Sequence, residues 1–158
     1  MRIIKDNNMR VSGYCRGGMF PALDAAGRQA AIDDNKAAIE EAAALGAECL
    51  VLVVGGLPKG SRNLAQVRQM VADGLAAVLP HARANKMPLA IEPLHPMYAG
   101  DRACVNTLAQ ALDLAGQLGP TSASPSTPIT SGGTGNWKRR SRAPAGKSAS
   151  SPITSATG

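Results

Sequence analysis

The sequence of 158 residues has few aromatic side chains and no long apolar run. Its aromatic residues are one Phe, two Tyr and one Trp, so any core has to be built from Ala, Leu, Val, Ile and Met. No stretch approaches the roughly 18 apolar residues that a membrane span requires. The first residues also lack the apolar segment of a secretory signal. We therefore expect one globular domain that has no membrane partner.

Cysteine is also scarce, and its spacing excludes a metal finger. Cys15, Cys49 and Cys104 are odd in number and lie far apart in the sequence. This usage is typical of a reducing compartment, so we expect a cytoplasmic protein. Cys15, near the end of a predicted strand, is expected to be a packed thiol.

Acidic residues are absent after Pro120, and this absence explains most of the net charge of +6. Five of the 17 Lys and Arg residues lie in 121–158, whereas all 11 acidic residues precede it. Residues 121–158 are rich in Ser, Thr, Pro and Gly, which predicts a disordered tail. A basic tail can bind nucleic acid non-specifically. With one aromatic residue and no recognised motif in this tail, we expect no specific nucleic-acid partner.

The segment from Arg10 to Gly119 alternates predicted strands and helices. The predicted strands are 11–15, 49–54 and 89–91, and the predicted helices are 24–45, 63–84 and 107–118. Short connections between them predict right-handed βαβ units and a parallel sheet. No G-x-G-x-x-G follows a strand, so a dinucleotide fold has no support. A doubly wound sheet and an α/β barrel both satisfy the pattern, but a whole barrel needs eight strands and roughly 250 residues.

The most informative stretch is 88–96, with the sequence PLAIEPLHP. A short apolar run ends in Glu92, and prolines follow at once, which removes N–H donors and ends strand pairing. We expect Glu92 at the C-terminal end of a central strand, the end at which barrels build active sites. His95 is expected on the loop just beyond. An ordinary strand end with a solvated Glu and a loop His is the alternative.

Three strand-end motifs, taken as an ordered set, resemble the sugar phosphate isomerase/epimerase family of xylose-isomerase-like TIM barrels. They are VSGYCRGGMFP from Val11, LVLVVGGLP from Leu50 and IEPLHPM from Ile91. The resemblance covers about 1–120 and implies an α/β fold, a partial (β/α)8 TIM barrel of about three to four βα units. It also implies that 1–9 are the end of the helix that follows a missing first strand.

The resemblance further implies an isomerase or epimerase that acts on a sugar or sugar phosphate and depends on a divalent metal ion, Mn²⁺, Mg²⁺, Co²⁺ or Zn²⁺. Glu92 is implied to bind the metal and to transfer a proton next to a carbonyl. His95 is expected to contact substrate or orient Glu92. Arg16, Lys59 and Arg62 follow the other strand ends and are expected to bind substrate, with a solvated charge as the alternative for each. The intact enzyme is expected to be a homo-oligomer.

The family's remaining site residues, an Asp, a His and a second Glu, would come from later strands. When residues 121–138 are back-translated with GC-rich codons and reread in a shifted frame, they give a strand-like V-G-V-A-V-D. We therefore interpret the tail as out of frame and the chain as a fragment without activity of its own. A non-catalytic α/β fragment and a basic-tailed binding module are the other classes left open.

Overall fold

The computed structural model describes residues 2–119, which form a three-stranded parallel sheet with helices packed on one face. The elements are α1 (Arg2–Asp6), β1 (Tyr14–Gly18), α2 (Ala25–Leu45), β2 (Leu50–Val53), α3 (Leu64–Ala84), β3 (Leu89–Ile91) and α4 (Leu108–Gln117). The strands lie in the order β1-β2-β3, so β2 is central. Both pairs are parallel, which confirms the predicted βαβ alternation. The tail expected in 121–158 lies outside the described residues.

The long helices begin and end where local sequence signals place them. Asp24 caps α2 by accepting a hydrogen bond from the Gly27 N–H, and Gly46 ends the helix with a left-handed φ of 70°. Asn63 caps α3 in the same way as Asp24, through the backbone N–H of Gln66 at 3.0 Å. Capping side chains satisfy helix donors that would otherwise be unpaired, so these boundaries follow from the sequence alone.

Strand β1 lies three residues later than the sequence predicts, at Tyr14–Gly18 instead of 11–15. Gly17 and Gly18 lie beyond the end of the predicted strand, but they pair with β2. A Cβ at Gly17 would lie 2.2 Å from Leu52 Cδ2, and Gly18 has a φ of +118°. The absence of a Cβ thus lets β1 approach β2 more closely than other residues would allow.

The core lies between the sheet and the helices. Leu50 and Leu52 of β2 and Ile91 of β3 are fully buried on the helix-facing side of the sheet. Phe20, which follows β1, packs so closely on α3 that a Cβ at Gly74 would lie 2.5 Å from its ring. Side chains alternate between the two faces of a strand, so the residues between these core positions face away from the helices.

No helix among residues 2–119 is long and apolar enough to cross a membrane.

Candidate functional site

Glu92 lies directly after β3, at its C-terminal end, as predicted. Its backbone N–H donates to the Leu52 carbonyl at 3.0 Å, and this bond continues the ladder one residue past the strand. Pro93 comes next and has no N–H to donate. The expectation of a central strand is wrong for the described sheet, because β3 is its outer strand and β2 is central. The segment after β3 turns into a loop and α4, and no strand within 2–119 pairs with the far edge of β3.

The register places Glu92 on the face of the sheet opposite the helices, here called the inner face. Ala90 pairs with Val51, and Cys15 pairs with the same residue from the other side. These residues, together with Val53, form the inner face. Glu92 is two residues after Ala90, so strand alternation directs it to the same face.

The Glu92 carboxylate is half-buried, and within residues 2–119 it makes no hydrogen bond or ion pair. Other glutamates of the chain do have partners. Glu40 meets His81 at 3.0 Å, and Glu41 accepts a hydrogen bond from the Tyr14 hydroxyl at 2.8 Å. Glu92 therefore differs from these structural carboxylates in that its oxygen lone pairs are available to a ligand.

His95 lies on the loop beyond Glu92, as predicted, and its ring is exposed. It caps the 3₁₀ turn Pro96–Tyr98 by accepting the Met97 N–H at Nδ1, at 3.2 Å. An accepting Nδ1 carries no proton, so the neutral ring has its proton on Nε2. In this tautomer His95 offers an N–H donor, which suits a substrate oxygen and does not suit a metal ion.

The loop between β3 and α4 folds back over the end of β2. The Cys104 N–H donates to the Gly55 carbonyl at 2.9 Å, and Gly55 and Ala103 form a parallel bridge. A Cβ at Gly56 would lie 2.5 Å from the Asp101 carbonyl carbon. The Gly55-Gly56 pair thus permits the close approach of two backbones.

Asn106 holds this loop in place. Its side-chain amide donates to the Leu94 and Ala103 carbonyls, each at 3.1 Å, and its backbone N–H donates to Gln110 Oε1 at 2.8 Å. One polar residue therefore ties the beginning and the end of the loop to the start of α4. Sequence reasoning did not identify this role of Asn106.

The folded-back loop brings Asp101 and Arg102 to a cavity of about 500 Å³ on the inner face. The other residues that line it are Cys15, Arg16, Gly17, Met19, Val51 and Val53. Asp101 also lines a smaller cavity of about 110 Å³ beside Gly55 and Gly56. Sequence reasoning missed both charged residues, because only the long-range contact of their loop with β2 places them at the strand ends.

Arg16 lies inside β1, at an irregularity between Cys15 and Gly17, so the expectation that it follows a strand end is wrong. Its guanidinium lies 3.0 Å from Asp34 and 3.7 Å from Glu41, both on α2. The hydrogen bond and charge of Asp34, with a further contribution from Glu41, raise the pKa of Arg16 above its usual value. Arg16 lines the inner-face cavity with its charge already balanced.

Lys59 and Arg62 lie in the loop after β2, as predicted, and both are exposed. Neither lines the two cavities at the strand ends. Their role in substrate binding stays a prediction.

The described residues do not form a complete site for a divalent metal ion. Within 2–119 no three His, Cys, Asp or Glu side chains lie close enough together to hold one. Glu92 supplies one carboxylate, and His95 presents an N–H on its free side. Hard divalent cations take several oxygen ligands, so the assignment of Glu92 as a metal ligand stays a prediction that needs donors from elsewhere.

A further cavity of about 360 Å³ lies between α3 and α4, on the helix side of the sheet. Its lining includes Arg68, which donates to the Cys104 carbonyl at 3.1 Å, and Asp113. It is separated from Glu92 by the sheet, so we do not assign it to the same site.

We expect Cys15 to react with iodoacetamide on the order of tenfold faster than Cys104, since the thiolate is the nucleophile. Cys15 is exposed on the inner face, which corrects the expectation of a packed thiol. Burial raises the pKa of the Cys49 and Cys104 thiols, so less thiolate forms there at a given pH. Peptide mass spectrometry after timed alkylation measures the three rates. Equal rates at Cys15 and Cys104 would contradict the exposed inner face.

The sequence pattern of the xylose isomerase-like TIM barrel family matches residues 2–124. No curated protein matches the chain.

The solved structures that share the fold include the following two. Protein SMc04130 from Sinorhizobium meliloti 1021 is 66% identical, with a TM-score of 0.74 over 76% of this chain. The apo form of 3-keto-D-glucoside 4-epimerase, YcjR, from E. coli is 23% identical, with a TM-score of 0.62 over 74% of this chain. The chain spans 44% of the first structure and 47% of the second, less than half of each.

Proposed function

Because the chain belongs to the xylose isomerase-like TIM barrel family, we propose that its partial barrel carries the part of a sugar isomerase or epimerase site that contains Glu92. The substrate class is a sugar or a sugar phosphate. The placement of Glu92 carries this proposal. It is a half-buried carboxylate without a partner in 2–119, at the C-terminal end of a parallel strand. Barrel enzymes build their active sites at that end.

The 3-keto-D-glucoside 4-epimerase adds support for sugar chemistry, because its structure matches most of the described residues. Inverting a stereocentre beside a carbonyl begins with the removal of a proton from that carbon. The Glu92 carboxylate is the base for this step, and the electron pair left behind delocalises onto the carbonyl oxygen as an enediolate. We assign His95 Nε2–H as the donor to a substrate oxygen near Glu92, because Nδ1 already accepts the Met97 N–H.

Return of the proton decides between isomerisation and epimerisation. If Glu92 returns it to the former carbonyl carbon, and the hydroxyl proton passes from the neighbouring oxygen to the former carbonyl oxygen, the carbonyl moves. If a second acid returns it on the opposite side of the substrate, the stereocentre inverts. Within 2–119 the inner face has no covering layer, so no described residue lies across the substrate from Glu92. We therefore propose that the chain as given has little turnover.

The divalent ion implied by the family, Mn²⁺, Mg²⁺, Co²⁺ or Zn²⁺, is part of the proposal only for a fuller barrel, in which Glu92 is one of several ligands. We also propose a cytoplasmic setting, which the three free cysteines support.

The proposal is tested with a chimera here called the extended barrel. It is the Sinorhizobium meliloti protein with its matching segment replaced by residues 2–119 of this chain, a replacement favoured by 66% identity. The assay incubates neutral ketoses and ketose phosphates in D₂O and follows deuterium incorporation next to the carbonyl by NMR. We expect incorporation with Mn²⁺ and its loss with EDTA. If the extended barrel folds but incorporates deuterium into none of these sugars, the proposal is refuted.

A further inference from the structure

We propose that the inner face is an interaction surface for a second copy of this chain, and that two copies pack inner face against inner face around a two-fold axis alongside β2. The inference is independent of the proposed sugar chemistry, since it requires neither Glu92 nor a substrate. A second copy repeats the same strands and supplies none of the later ones. The low turnover proposed for the chain is therefore unchanged by this association.

The inner face is an apolar surface without a covering layer in 2–119. Val51 and Val53 of the central strand face this side and are only half-buried. Met19, which lines the same cavity of about 500 Å³, is 57% exposed. Parallel sheets occur almost only with both faces covered, so this face requires a layer that the described residues do not supply.

The dimensions of the related structures favour a second copy as this layer. In a barrel, the inner face of one half packs against the inner face of the other, and the side chains of both fill the interior. This chain spans 44% of one solved relative and 47% of another, so a second copy is close in size to the part that is not matched. Facing sheets pack about 10 Å apart, which brings the Val51 and Val53 side chains of the two copies together.

The charges at the rim of the inner face are complementary to those of a second copy. Asp101 and Arg102 are adjacent and exposed, and within 2–119 neither side chain makes an ion pair. Across a two-fold axis, residue i contacts residue j and j contacts i. Asp101 of one protomer therefore meets Arg102 of its partner, and the same contact repeats on the other side of the axis. Such pairs fix the orientation of an interface more than they add affinity.

The other charged residues of the inner face do not oppose this contact. Arg16 lines the cavity, but Asp34 and Glu41 of α2 balance its charge. Glu92 follows the outer strand β3. With the axis alongside β2, β3 of one protomer faces β1 of its partner, so the two Glu92 carboxylates lie apart and each faces the strand that contains Arg16.

Sedimentation equilibrium of the 158-residue chain measures the association. The inner face is only three strands wide, so we expect a weak interface with a dissociation constant on the order of 10 μM. From about 1 μM to about 1 mM protein, a range that brackets this constant, the mass should rise from that of the 16.2 kDa monomer to twice that value and no further.

Alkylation of Cys15 locates the interface. Cys15 is exposed and lines the inner-face cavity, whereas Cys104 is buried in the core. Over the same range of protein concentration, the reaction of Cys15 with iodoacetamide should slow by about tenfold, because the monomer fraction falls by mass action. Cys104 serves as the internal reference. The faster reaction of Cys15 predicted above refers to the dilute chain.

Charge reversal at the rim tests the two-fold contact. Asp101→Arg and Arg102→Asp should each weaken the association by about tenfold to a hundredfold, because like charges then meet on both sides of the axis. An equimolar mixture of the two variants should associate about as tightly as the unaltered chain, because each contact between the two different variants then joins opposite charges.

Asp113→Arg is the matched control for these variants. Asp113 is an exposed carboxylate at the cavity between α3 and α4, on the helix side of the sheet. Its replacement should leave the association unchanged. Circular dichroism of all three variants should match that of the unaltered chain, because the three replaced side chains are exposed.

Any one of four outcomes would overturn the inference. The first is a monomer mass at every concentration, and the second is a mass that rises past the dimer. The third is a Cys15 alkylation rate that does not depend on protein concentration. If that rate is slow and the mass is that of the monomer, the rest of the chain covers the inner face. The fourth is association that Asp101→Arg leaves unchanged or that the mixture of variants does not restore. None of these outcomes bears on the proposed isomerase chemistry, which the extended barrel tests separately.

Discussion

Replacing Glu92 by Gln in the extended barrel should slow deuterium incorporation by about 10²–10⁴-fold, the contribution typical of a positioned general base. The substitution keeps the size of the side chain and removes the group that accepts the proton. The backbone bond from Glu92 N–H to Leu52 O does not involve the side chain, so β3 should keep its place. The measurement is the rate of exchange by NMR at saturating substrate.

Glu48→Gln is the matched control for this prediction. Glu48 is an exposed glutamate that pairs with Arg10 before β2, at the opposite end of the strands. Its replacement should leave the exchange rate within about twofold, since surface ion pairs contribute little. An exchange rate unchanged by Glu92→Gln would show that Glu92 is only a strand-end residue.

Replacing Asn35 by Ala should lower the free energy of unfolding by about 2–5 kcal/mol, through loss of hydrogen bonds to buried backbone groups. Asn35 is 1% exposed, the one buried polar side chain among the described residues. It accepts the Gly18 N–H and donates to the Gly18 carbonyl, both at 2.7 Å, and donates to the Ala31 carbonyl at 2.8 Å. The variant leaves the Gly18 N–H and C=O buried without this partner.

Urea unfolding followed by circular dichroism measures this loss. Asn7→Ala serves as the control, because within 2–119 the exposed Asn7 side chain bonds only the Ile3 carbonyl, four residues away. We expect that variant to lose no more than about 0.5 kcal/mol, the usual range for surface substitutions. A similar loss in both variants would contradict the account of Asn35 as the tether between β1 and α2.

The features that the sequence predicted correctly have local causes. Asp24 and Asn63 satisfy the first donors of their own helices, so three or four neighbouring residues suffice to place these ends. The apolar run that stops at Glu92-Pro93 likewise carries the end of β3 in its own sequence. The length of the chain and the alternation of predicted strands and helices then limited the fold to parallel βαβ units.

The features that the sequence did not predict have long-range causes. Gly17 and Gly18 have the composition of a turn, yet they extend β1 because Leu52 and Val53 pack directly against them. Asp101 reaches the strand ends through backbone contacts with Gly56, about 45 positions earlier in the chain. The glycine pair after β2 was the one available sign, since adjacent glycines permit a close backbone approach.

Among the predicted site residues, Arg16 is one whose surroundings depend on long-range contacts. Its position in the sequence, just before two glycines, indicated a free loop cation. The structure places it in β1, where Asp34 and Glu41 of α2 compensate its charge. These partners follow it by 18 and 25 residues, and only the packing of α2 on β1 brings them near.

The central claim is the proposal that this chain carries the Glu92 part of a sugar isomerase or epimerase site, and that residues 2–119 do not supply the part that faces it. Its most direct test is deuterium incorporation next to the carbonyl of the same ketose, measured with Mn²⁺ for the 158-residue chain and for the extended barrel side by side. We predict exchange by the extended barrel and at least about a hundredfold less by the chain alone, the lower bound for losing one positioned acid or base. Equal exchange by the two proteins, with tight Mn²⁺ binding by the chain alone, would contradict the claim.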